Sequence, residues 1–164
     1  MAATTVYHGA DGTITVAVEA TPAGDKAKAV VDKYALTPIG RATGVTVKIT
    51  NDVKPFHELG QRFPTELRPG NMNVSGTIER AYVNGALLRL MLGDAADNRP
   101  AGTFVGPSFN LSLQLQNPNF PDASASVTVM GVQLNEWNYS LQEDDFVVEN
   151  VGFRALWIKT EDKG

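Results

Sequence analysis

Cysteine is absent from the 164-residue chain, which excludes disulfide scaffolds, iron–sulfur clusters, thiolate zinc sites and cysteine nucleophiles. Histidine occurs only at His8 and His57, leaving little for imidazole chemistry. No apolar run approaches the roughly 18 residues that cross a bilayer as a helix. The opening Met-Ala-Ala-Thr-Thr has neither the basic region nor the apolar stretch of an export signal. The chain is therefore expected to be made in the cytosol and not to insert into a membrane. A basic stripe is also missing. Residues 1–135 hold 11 Lys+Arg against 11 Asp+Glu, and residues 136–164 hold 3 against 7, so the formal charge of −4 comes from the C-terminal segment. Nothing of this kind neutralises phosphates, and the acidic segment reads as a solvated edge.

Catalytic signatures are equally scarce. The patterns for phosphate loops, dinucleotide folds, nucleophile elbows and zinc helices do not occur. His57-Glu58 opens like a zinc helix but lacks the second histidine. Asp94 and Asp97, in a turn after a helix, suit the capping of backbone donors better than a cation. The side chains of Glu143-Asp144-Asp145 diverge in an extended chain and suit a solvated turn, whereas a hydrolase pair must face across a cleft. His8 beside Tyr7 reads as an edge-strand residue. The expectation is no enzyme, no cofactor and no metal.

What the chain does contain is alternation of period two, the mark of half-buried strands. Ile14, Val16 and Val18 alternate with Thr13, Thr15 and Glu19, and with Thr5-Val6-Tyr7 and the turn Gly9-Ala10-Asp11-Gly12 the first 19 residues read as a hairpin. Val45, Val47 and Ile49 form a second run. Met72, Val74, Gly76 and Ile78 form a third, whose glycine marks a bulge or a close backbone approach. Phe109, Leu111, Leu113 and Leu115 alternate with Asn110, Ser112, Gln114 and Gln116, then stop at the turn cluster from Asn117 to Asp122. Beyond it the apolar phase runs Val127 and Val129, slips near Met130-Gly131 to Val132 and Leu134, and slips again to Trp137, Tyr139 and Leu141. Two slips predict a bulged or strongly bent strand. Phe146 to Lys159 is apolar on both parities and reads as a strand covered on both faces.

One short helix is expected from Gly85 to Leu92, capped by Asn84, with Val83, Leu87, Leu90 and Met91 on one face and Gly93 as the stop. A weaker helical pattern joins Ala27, Val30, Val31 and Tyr34. The fold class is mainly β, a sandwich or barrel with one short flanking helix, in a single domain over residues 1–164. Residues 51–71 break the pattern, with three prolines, two glycines, Phe56, Phe63 and Leu67. So long a connection is usually functional or disordered, and its aromatics argue against disorder. They must be buried against their own domain or against a partner.

The early strands, the long segment FHELGQRFPTELRPGN, the passage GTIERAYVNGALLRLMLG from strand to helix and the final EDDFVVENVGFRALWIK together resemble the tail tube proteins of bacteriophages, related to the tubes of contractile injection systems and pyocins. The resemblance runs from about Thr13 to Lys159. It implies hexameric rings whose inner sheets join into one barrel, stacked into a channel for DNA delivery, and ring closure by backbone pairing would follow if the strands Phe109 to Gln116 and Phe146 to Lys159 lie near subunit edges. It also implies a location in the virion tail after assembly in the host cytoplasm. The expected partners are other copies of the chain and further tail proteins such as sheath, baseplate or tape measure, with DNA passing through unbound. On that reading Phe56, Glu58, Arg62, Phe63, Glu66, Leu67 and Arg68 make the contact between rings. Thr77, Glu79, Asn110, Ser112, Gln114 and Gln116 line a polar, net negative channel. Two other readings stand beside it: a tail-completion or baseplate ring protein of the same fold, and a small-ligand or carbohydrate-binding β-sandwich using Trp137, Tyr139 and Trp157. These aromatics lie within apolar strands, which favours core packing for them.

Overall fold

The computed structural model describes residues 6–35, 39, 42–102 and 105–163. In chain order the described elements are β1 (Gly12–Ala17), α1 (Pro22–Tyr34), β2 (Ala42–Asn51), β3 (Lys54–Phe56), β4 (Glu66–Arg68), β5 (Met72–Ala81), α2 (Ala86–Leu92), β6 (Phe109–Asn117), β7 (Phe120–Ser140), β8 (Val148–Ala155) and β9 (Trp157–Lys163). Every strand pair is antiparallel.

Strand β7 organises the molecule. Its first half pairs with β6 and β9, its second half with β8. It thereby belongs to two sheets: sheet A, ordered β1-β6-β7-β9, and sheet B, ordered β7-β8-β5-β2. The bend sits where the apolar phase slips. Leu111 faces Val129 but Phe109 faces Val132, so one extra residue enters β7 beside Gly131. Gly131 has φ +68, and a Cβ there would also strike Leu156, so only glycine suits the position. The second slip places Leu134 opposite Phe153 and Glu136 opposite Gly152. Both phase changes in the sequence are thus bulges.

The passage from Phe146 to Lys159 is not one strand covered on both faces. It breaks at Leu156, whose N–H donates to the carbonyl of Met130 at 3.0 Å. There the chain leaves β8 in sheet B and enters β9 in sheet A. Within β8, Glu149, Val151 and Phe153 point inward while Asn150 and Arg154 are exposed. Parity shifts at the break, so two one-sided strands look apolar on both faces when read as one. Phe146, Leu156 and Trp157 are all exposed.

The N-terminal hairpin is also corrected. Gly9–Asp11 is a single 3₁₀ turn held by the His8 Nδ1 atom, which accepts from the N–H of Ala10, and β1 pairs with the distant β6. Thr5 lies outside the described residues. The expectation of one helix is corrected to two, and the weaker pattern is the longer helix. Helix α1 starts where Thr21 accepts from the N–H of Gly24 with Pro22 in the first turn, and it buries Ala27, Val30 and Val31. In α2 the side chain of Asn84 accepts from the N–H of Ala86 at 3.0 Å, one residue ahead of the N-cap, Gly85. Leu87 and Leu90 are fully buried, each stabilising by about 1.5–3 kcal/mol. Val83 precedes the helix and is exposed, not on its packed face.

Both sheets and both helices share one core, including Val16, Leu111 and Val129 from sheet A and Ile78, Val151 and Phe153 from sheet B. At Gly76 a Cβ would collide with the Thr46 carbonyl oxygen and with the Phe153 ring, so the glycine marks a close backbone approach. A buried ion pair closes one end of the core. Arg80 on β5 stands opposite Glu149 on β8. Its Nε and Nη2 donate to Glu149 Oε1 at 2.7 and 2.6 Å, and the indole of Trp137 donates to Oε2 at 2.8 Å. The Nη2 group also reaches the backbone oxygen of Asn84 at 3.2 Å, tying β5, β7 and β8 to the start of α2.

Candidate functional site

The long segment after β2 is the tip of a β-ribbon that leaves the sheet. β2 and β5 pair down to Asn51 opposite Met72, the Asp52 N–H donates to the carbonyl of Asn71, and the Gly70 N–H donates to the Asn51 side chain. Lys54, Pro55 and Phe56 then face Arg68, Leu67 and Glu66. Residues 51–69 are all exposed, Phe63 at 83% and Leu67 at 62%. The aromatics are not folded back on their own sandwich. Glu66 and Arg68 bridge each other at 3.0 Å, whereas Glu58 and Arg62 have no ion-pair partner among the described residues. This projecting arm brings all seven residues expected at a ring contact together on one protrusion.

The six residues expected along a channel are not brought together. Thr77 and Glu79 lie on the outward face of sheet B, in rows with Gly152, Thr46 and Glu136 and with Asn150, Asn138 and Gly44. Asn110, Ser112, Gln114 and Gln116 lie on the outward face of sheet A, where Ser112 stands between Thr15 and Thr128 and Gln114 between Thr13 and Ser126. Several also serve the fold. Asn110 donates to Glu19 at 3.1 Å and accepts from the N–H of Gly131 at the bulge. Gln116 donates to the Pro121 carbonyl across the hairpin turn, and Glu79 accepts from the Thr43 hydroxyl.

The edges differ from those read in the sequence. β6 lies between β1 and β7, and β8 between β7 and β5, so of the two segments expected near edges only β9 is one. Sheet B is bordered by β2 and by residues 133–140 of β7, which among the described residues pair on one side only. Such open ladders template pairing with another chain.

Features suited to a small ligand are sparse. A shallow groove of about 370 Å³ between α1 and α2 is lined by Asp25, Lys26, Val30, Lys33, Arg89 and Asp97. Arg89 spans it to Asp97 at 2.9 Å, and this hydrogen bond and charge hold the Asp97 carboxyl below the usual carboxylate range. The carboxylate of Asp97 is thus engaged by a cation of the chain itself. Among the described residues no three metal-ligating side chains cluster, and no helix is long and apolar enough to cross a membrane. Nor do the three aromatics considered for carbohydrate form one platform. Trp137 is half-buried over Glu149, and Tyr139 is exposed and stacked on Tyr82 with ring centroids 5.4 Å apart. Trp157 is exposed on β9 in the other sheet. Core packing therefore fails for Tyr139 and Trp157.

No family model matches the sequence, and no curated relative does. Solved structures do match. The sheath-tube complex of an extracellular contractile injection system, PVC, in its extended state superposes with a TM-score of 0.62 at 11% identity, over 95% of this chain and 91% of that one. The chain has the tail-tube fold. The sheath/tube terminator of the same system superposes at 0.65 and 12% identity over 98% and 99% of the two chains. The SPP1 tail tube does so at 0.59 and 13% over 97% and 80%. The mainly β architecture of this chain is the tail-tube fold over nearly its whole length. Within that fold, parity in the sequence could not show the ends and edges of sheet B, because they depend on which strands become neighbours.

Proposed function

We propose that the chain is the subunit of a phage-type tail tube, in which copies join edge to edge into rings and the rings stack through the arm. The observation that carries this reading is the strand count of sheet B. With four antiparallel strands, its border strands β7 and β2 run in opposite directions. Copies related by rotation then set β2 of one against β7 of the next, again antiparallel, so one ladder continues around a closed ring with no free edge. Six copies, the number the resemblance implies, would make a barrel of about 24 strands, wide enough for an open channel.

In this arrangement the outward face of sheet B lines the channel. Thr77 and Glu79 belong there, together with Thr46, Lys48, Glu136 and Arg154. Two acids and two bases make the lining polar and balanced instead of net negative, and DNA would pass without a basic track to hold it. Asn110, Ser112, Gln114 and Gln116 move to the outside, on the face open to a sheath or other tail protein. Baseplate and tape-measure proteins remain expected partners at the ends, with the virion tail as location and host cytoplasm as the place of assembly. The terminator's match at 0.65 favours one second reading, a completion protein that forms a single ring with the same edges.

The test is negative-stain microscopy and native mass measurement of the purified chain over rising concentration, beside a variant with residues 54–68 replaced by a short turn. Stacked tubes from the intact chain and folded, unstacked rings from the variant are expected. Rings that never stack favour the completion protein. Monomers and dimers alone under all conditions refute ring formation, and stacking by the variant refutes the role of the arm.

A further inference from the structure

We infer that the end of sheet B opposite the arm is the seat for the arm of a second copy, an inference that rests on the tube reading and locates its stacking contact. β5 starts at the arm, where Met72 faces Asn51, and ends where Ala81 faces Val148 and Val148 faces Ser140. Around that far end lie Tyr82, Tyr139, Leu141 and Phe146, all exposed, Leu141 at 72% and Phe146 at 88%. The arm lies at the start of β5 and this patch beyond its end, so they face opposite ways along that strand. A copy displaced along that direction carries its arm to the patch of the next. The contact is head-to-tail and repeats without closing, as a stack requires.

One local pairing of charge supports this occupant. The turn beside the patch is Glu143-Asp144-Asp145, and no lysine or arginine occurs between Arg99 and Arg154 to offset it. The arm presents Glu58 and Arg62 without ion-pair partners among the described residues, and of the two it is Arg62 that stands next to an aromatic, Phe63. Arg62-Phe63 on one copy thus matches Asp144-Asp145-Phe146 on the next, a cation beside an aromatic against acids beside an aromatic. The seat is also held in shape before binding. Tyr82 stacks on Tyr139, Trp137 packs against Tyr139 with centroids 4.7 Å apart, and the Tyr82 N–H donates to the Val147 carbonyl at 2.8 Å. A rigid aromatic anchor loses little freedom when covered.

Because the chain has no cysteine, a disulfide between engineered positions reports this contact cleanly. Phe63→Cys combined with Phe146→Cys, both at exposed sites, should give a ladder of covalent multimers when assembled tubes are oxidised, and Phe146→Cys alone should not. Arg62→Glu should weaken stacking by about tenfold or more, and adding Asp144→Arg and Asp145→Arg should restore it. Tubes that form normally yet give neither cross-links nor charge rescue would overturn the seat while leaving the tube reading intact. Cross-linked dimers from Phe63→Cys alone would overturn it in favour of arm-to-arm contact. Failure of the unmodified chain to form rings or tubes would instead remove the reading on which the seat rests.

Discussion

Replacing Glu149 by alanine strips the buried Arg80 guanidinium of its counter-ion. The Arg80 side chain is 3% exposed and that of Glu149 is 0% exposed, so water cannot take over the lost contacts. Among the described residues Arg80 would retain only Asn84, through its backbone oxygen at 3.2 Å and its side-chain oxygen at 3.4 Å. The Trp137 N–H would lose its acceptor. Breaking a buried pair on one side costs about 3–5 kcal/mol, because an uncompensated charge remains inside. With a urea slope of about 2 kcal/mol/M, the unfolding midpoint should fall by about 1.5–2.5 M. Glu149→Gln keeps an acceptor without the charge and should fall between. Removing both partners, as Arg80→Met with Glu149→Leu, leaves no orphaned charge and should recover most of the loss. Urea denaturation followed by tryptophan fluorescence reads all four proteins. A loss below about 1 kcal/mol for Glu149→Ala, or a double variant as unstable as the single one, would refute the reasoning.

Leu87→Ala and Leu90→Ala should each cost about 2–5 kcal/mol, since both side chains are fully buried in the shared core; an unchanged denaturation midpoint would show that α2 is not packed there. Arg89→Ala should let the Asp97 carboxyl rise back toward its ordinary value, since hydrogen bonding and charge from Arg89 are what lower it. The lowered carboxyl contributes stability that is present above the ordinary aspartate range and lost as pH falls through the lowered value. The contribution is small at so exposed a pair, and an NMR titration of Asp97 that does not move in the variant would contradict the assignment.

Alternation carried much of the fold. Phe109 and Leu111 are buried as their parity demands, and the slips at Gly131 and Leu134 are where β7 bends, because burying one face fixes parity. The break at Leu156 was not legible, since a strand that changes sheets looks like one strand with two apolar faces. Helix α1 was faint because its buried stripe rests on a small residue and two β-branched ones, Ala27, Val30 and Val31. The arm stood out through its prolines and aromatics, and it is exposed. Parity places Glu79 and Gln114 on polar faces but is silent about which sheet each strand joins, so the six expected channel residues divide between two sheets. The Tyr82–Tyr139 stack arises only once β5, β8 and β7 lie side by side.

The order in which sheet B is synthesised decides when its two open borders first exist together. β2 and β5 form one local hairpin and emerge in the first half of the chain, so one border of the sheet is available early. The other border, residues 133–140 of β7, is held in place by β8, which is made later still, and Glu149 of β8 is the partner that Arg80 of β5 awaits. Sheet A is filled in from both ends of the chain, Ile14 finding Leu113 and Ile158 finding Val129. Pairings so distant in sequence form slowly. If copies join edge to edge as proposed, a nascent chain offers one half of that contact long before the other, and polymerisation on the ribosome is disfavoured by the connectivity of the fold itself.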